Sequence, residues 1–82
     1  MNYILTEHAS KKIKKRKISL NLIEEVIQNP QQILYQDDLL IYQSIVVFNN
    51  KEYLLKIYVN QNVGPNKIVT VYMTSKIKKY MV

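Results

Sequence analysis

Six cations within seven residues (Lys11, Lys12, Lys14, Lys15, Arg16 and Lys17) limit what this chain can fold into. They lie in the stretch TEHASKKIKKR, residues 6–16, and its continuation at Lys17. On a helix this stretch offers only Ala9 and Ile13 as an apolar stripe, so the helix must lie on a domain and not pass through it. The same periodicity sets His8, Lys12 and Arg16 four residues apart along one side. Thr6 is a fitting N-cap, and Glu7 stands near the positive end of the helix dipole. The expected helix runs from about Glu7 to Lys17.

A second helix follows. Ser19 is its N-cap, and Leu22, Ile23, Val26 and Ile27 recur at helical spacing to make a buried stripe over Leu20 to Gln28. Asn29-Pro30 ends it, because the residue before proline avoids the α region. From Ile33 onward the period changes to that of strands. Ile33-Leu34-Tyr35 leads into an Asp37-Asp38 turn. Leu39 to Phe48 is apolar on both faces and reads as a central strand. Asn49 to Glu52 is a hairpin turn. Tyr53 to Asn60 alternates, with Tyr53, Leu55, Ile57 and Val59 on one side. Lys67 to Ser75 alternates again, setting Val69, Val71 and Met73 against Ile68, Thr70, Tyr72 and Thr74. Residues 2–5 form an edge strand or a lead-in, and the basic tail from Lys76 is a helical turn or loose. The class is α+β: one domain over residues 1–82, with two N-terminal helices packed on a three- to four-stranded antiparallel meander.

Composition narrows the function. The absence of cysteine and the single histidine argue against disulfides and a structural zinc site; no metal and no cofactor are expected. No apolar run reaches the length of a membrane span, and the N-terminus lacks the pattern of a signal peptide, so the expectation is a soluble cytoplasmic protein. The net charge of +6 suits an anionic partner. The cations of residues 11–17 repel one another and weaken their own helix, which a polyanion would relieve. A solvated helix face is the plain alternative. Docking on a membrane is disfavoured, because Ala9 and Ile13 are too small a surface to bury in a bilayer interface. Asp37 and Asp38 are neighbours on an extended chain and point apart, so they make no paired-carboxylate site.

Register adds a second candidate surface. If the loop QNVGPN (61–66) is centred on Gly64, Tyr58 opposes Thr70 and Lys56 opposes Tyr72. Lys56, Tyr58, Thr70, Tyr72 and Thr74 then share the sheet face away from the apolar side. Lysine holds phosphate and tyrosine stacks on unpaired bases, so the face suits RNA. Tyrosine and threonine are also ordinary strand formers on a solvated face. An imidazole is the usual side chain for proton transfer near neutral pH, and His8 is the one histidine of the sequence. In metal-independent RNA cleavage it would serve as base or acid, with Arg16, Lys12 or Lys56 stabilising the phosphorane and Tyr72 donating or orienting. Its alternative is a packed histidine at a helix start.

The motifs also carry a resemblance. Leu5-Thr6, His8-Ala9, Arg16, Ile18-Ser19, Asn29-Pro30 and the closing I-V-T-V-Y (Ile68 to Tyr72) resemble a group of small bacterial proteins known as a domain of unknown function and related to BrnT-like toxins. The resemblance implies the RelE/ParE-like toxin superfamily: two N-terminal helices on a curved antiparallel sheet, and type II toxins that cut mRNA or poison gyrase. Many are ribonucleases neutralised by an antitoxin encoded beside them. By matching position it points to His8 and Arg16 on the helix and to Thr70 and Tyr72 on the last strand. Lys12 stands where the group often has an arginine; it keeps the charge and loses the bidentate fork for phosphate. The expected catalytic set is His8, Arg16 and Tyr72. The expected RNA contacts are Lys11, Lys12, Lys15, Lys56, Tyr58, Thr70 and Lys76, with an acidic antitoxin as protein partner. The alternative is a non-catalytic module of the same fold that binds nucleic acid or gyrase.

Overall fold

The computed structural model describes residues 3–81. The elements in chain order are β1 (Ile4–Leu5), α1 (Glu7–Arg16), α2 (Leu20–Gln28), β2 (Gln32–Gln36), β3 (Leu39–Phe48), β4 (Lys51–Asn60), β5 (Lys67–Thr74) and α3 (Ile77–Tyr80). They form an α+β fold around one five-stranded sheet of order β1-β5-β4-β3-β2.

Local chemistry fixes the helix ends. The Thr6 hydroxyl accepts from the Ala9 N–H and donates to the Val69 carbonyl, so one side chain caps α1 and ties it to β5. At the other end Lys17 adopts the left-handed conformation (φ 56°). The Ile18 N–H reaches back to the Ile13 carbonyl, with both isoleucines buried in the core. That is a Schellman stop with its hydrophobic contact, made by lysine where glycine is usual. Ser19 caps α2 by accepting from the Leu22 N–H. Two hairpins close without glycine: Asp37-Asp38 and Asn49-Asn50 each carry positive φ at both residues, the type I′ geometry that matches strand twist. The second is tighter than the sequence suggests, because Lys51 and Glu52 already belong to β4.

Both long helices cover one face of the sheet. Ala9 and Ile13 of α1, Ile23, Val26 and Ile27 of α2, and Leu55, Ile57, Val59, Val71 and Met73 of the strands form the core cluster. Tyr3 packs at its margin, and burial, then the neighbouring Tyr42 phenol, raises the Tyr3 phenol above its ordinary pKa.

Two expectations are corrected. The sheet is five-stranded and mixed: β2 to β5 pair antiparallel in chain order, and β1 adds a fifth strand parallel to β5, with Ile4 beside Lys67 and Leu5 beside Ile68. The β4–β5 register holds Tyr58 against Thr70 and Lys56 against Tyr72 as the Gly64-centred loop requires. A bulge beyond Tyr58 then pairs Val59 with Ile68 and leaves Val69 as the extra residue. One inserted residue reverses the facing of everything beyond it, so Ile68 joins the core instead of the polar side. Of the two alternatives for the basic tail, the helical turn is the one that forms: α3, which packs against β4. No helix among the described residues is long and apolar enough to cross a membrane.

Candidate nucleic-acid interface

The candidate residues divide between two surfaces. α1 packs on β5 through Ala9 and Ile13, from the side that Val71 and Met73 face. Alternation sends Tyr72 to the other side. His8 and Arg16 therefore share an exposed helix, while Tyr72, Thr70, Lys56 and Tyr58 belong to the opposite sheet face. The expected set His8, Arg16 and Tyr72 is not brought together. Thr70 and Tyr72 pair with Tyr58 and Lys56 as expected, but they form no common wall with α1.

The α1 surface is the simpler one. Lys11, Lys14, Lys15, Arg16 and Lys17 are exposed and Lys12 is half-buried. Glu7 engages Lys11 at 3.2 Å, one turn apart. Lys12, Lys14, Lys15, Arg16 and Lys17 have no carboxylate partner among the described residues. Three of them, Lys14, Lys15 and Arg16, occupy the last helical turn, where a cation complements the helix dipole. The cluster is tolerated locally for that reason, and it leaves a dense unpaired positive field facing solvent.

The motif residues now have separate jobs. Thr6 is the cap, and Ala9, fully buried, is the small residue that lets α1 approach the sheet. His8 is exposed and makes none of the hydrogen bonds or ion pairs found among the described residues. It is not a histidine packed at the helix start.

The opposite sheet face is not the open, solvated surface its tyrosines and threonines suggest. Across the strands runs the row Gln32, Gln43, Lys56, Tyr72. Gln43 is fully buried and Lys56 is 7% exposed, beneath α3. The Gln43 amide donates to Gln32 Oε1 at 2.8 Å and to the Tyr80 carbonyl at 3.3 Å, while Gln43 Oε1 has no partner. Lys56 Nζ lies 4.8 Å from the Tyr80 ring centre and 5.5 Å from that of Tyr58. Tyr72 meets Tyr80 edge-on at 5.9 Å. Lys76 is exposed and precedes α3, where its N–H bonds the Thr74 hydroxyl.

Gln32, Gln43 and Tyr80 are absent from the sequence-based candidates. The signal was present in Ile41 and Leu54, apolar residues that fall on the supposedly polar face and are fully buried. Something had to cover them, and the tail carries Ile77, Tyr80 and Met81. Among the described residues no cluster of histidine and carboxylate side chains is able to hold a metal ion.

A family model described as a domain of unknown function (DUF4258) matches residues 5–73. The chain belongs to that family. The match spans both long helices and the strands to Met73 and stops short of α3. No curated protein and no solved structure matches the chain significantly.

Proposed function

We propose that this domain binds RNA through α1 and acts as the toxin of a type II toxin–antitoxin pair. In its full form the reading is a metal-independent endoribonuclease of RelE/ParE-like kind, working on mRNA in the cytoplasm. An acidic antitoxin encoded nearby would hold it inactive. The observation that carries the reading is the row of α1 cations without carboxylate partners on an exposed helix. Polyanion binding relieves their mutual repulsion and releases the counterions of the phosphate backbone. His8 lies on the same helix, exposed, where a bound strand would bring a 2′-hydroxyl within reach of an imidazole.

A second reading has its own support. Tyr72 lies on the far side of the sheet from His8 and Arg16, so the three do not act on one phosphate. Binding of RNA or of gyrase without cleavage needs only the cations. Induced expression with RNA ends mapped separates the two. The nuclease reading expects growth arrest and new RNA ends with the wild type. It expects both to fall at least about 100-fold in His8→Ala, the scale of losing a general acid or base. Arg16→Ala should lower both, through lost phosphate stabilisation. Arrest that persists in His8→Ala, with RNA intact, leaves binding alone.

A further inference from the structure

The buried row on the sheet face has the composition of a binding site and is filled by the chain itself. Lys56 is 7% exposed, with no carboxylate partner among the described residues. Among the described residues its ammonium meets the rings of Tyr58 and Tyr80. Beside it the fully buried Gln43 keeps an acceptor, Oε1, without a partner. A buried amide atom left unpaired is uncommon enough to require a reason. The other end of that amide is held by the Tyr80 backbone carbonyl at 3.3 Å. Tyr80 thus supplies the row with both a carbonyl oxygen and a flat ring. It comes from α3, a helix of four residues that lies outside the family match.

We infer that α3 is a strap occupying a nucleotide site on the Gln43–Lys56–Tyr72 row, and that a ligand enters when the strap lifts. The chemistry specifies the ligand. Lys56 offers a cation for phosphate, and Gln43 offers an acceptor for a ring N–H or exocyclic amine. Tyr58 and Tyr72 offer ring faces to a base in place of Tyr80. One nucleotide of a single strand carries all three features. The strap itself is weakly held: it is short, has no side-chain cap, and Lys78 and Lys79 are exposed. A helix of this length does not persist without its packing. The choice of a nucleotide as ligand rests on the RNA reading above; the strap does not.

The test uses the full chain and uridine 5′-monophosphate as probe, with affinity and the Lys56 side-chain signals followed by NMR. Tyr80→Ala removes the ring, and Ile77→Asp loosens α3 while keeping Tyr80. Both variants should bind the probe at least about tenfold tighter than the wild type, by removing the conformational penalty of a closed site. Lys56 signals should move on binding, and Lys56→Met added to Tyr80→Ala should abolish the gain. The inference is overturned if both folded variants bind no tighter than the wild type, or if the gain survives Lys56→Met. The two readings fail separately. A monophosphate gain without RNA binding by any variant keeps the strap and sinks the RNA reading. RNA binding that depends on α1, with no monophosphate gain, does the reverse.

Discussion

Replacing Lys14, Lys15 and Arg16 together by glutamate is expected to abolish most RNA binding and to flatten its salt dependence. Single-stranded nucleic acid gives a slope of about −0.7 in log affinity against log salt for each phosphate neutralised. Lys12, Lys14, Lys15, Arg16 and Lys17, the α1 cations without a carboxylate partner, would give the wild type a slope of roughly −3.5 if all engage. Raising salt from about 50 to about 200 mM should then cost roughly 100-fold in affinity. With Lys12 and Lys17 left, the slope falls to roughly −1.4 and the same change costs only about sevenfold. At the lower salt the variant itself should bind at least about 100-fold more weakly than the wild type. All three side chains are exposed, so the loss does not come from the core. The substitution does put acids at the negative end of α1, a cost of about 0.3–1 kcal/mol each. Thermal melting checks that the variant remains folded. A slope unchanged from the wild type would show that α1 does not meet the phosphates.

The largest effect on stability is expected at Ile57. It is fully buried on β4, the middle strand, paired with Tyr42 on one side and Val71 on the other, and it belongs to the core under both long helices. Ile57→Ala removes three carbons from a packed site and leaves a cavity, at a cost of about 3–4 kcal/mol. A domain of this size has a total stability of about 4–12 kcal/mol, so the change consumes a large part of it. The melting temperature should fall by roughly 15–25 °C. Ile33→Ala, at a residue 54% exposed on the edge strand β2, should shift stability by less than about 0.5 kcal/mol. Equal losses at the two isoleucines, measured by urea unfolding, would mean that the core is not where the fold places it.

These expectations draw on parts of the chain that were unequally legible. The cap residues Thr6 and Ser19 and the Asn29-Pro30 stop fix the two long helices, because capping is local chemistry written in a few side chains. The pairing of Lys56 with Tyr72 and Tyr58 with Thr70 was legible from alternation, since a period of two leaves only one parity consistent with both strands. The bulge at Val69 was not legible: no glycine marks it, and the Thr6 hydroxyl that bonds the Val69 carbonyl is distant in sequence. Nor was the parallel pairing of β1, because two residues carry no period and their partner lies at the other end of the chain. The site was half legible. The α1 cations could be read from spacing alone. The burial of Lys56 could not, because a short basic tail, even as a helical turn, carries no sign of the face it covers, and it is Tyr80 beyond Lys78 and Lys79 that makes the contact that matters.

That α1 is the surface that meets RNA is tested most directly by following the backbone amides of the wild-type chain by NMR during titration with a short single-stranded oligoribonucleotide. Salt is kept near about 50 mM, where phosphate contacts are strongest. The prediction is that the largest shifts fall in Glu7 to Lys17, with β2, β3 and β4 quiet while α3 stays in place. Shifts confined to the strands, or no saturable shift at all, would contradict it.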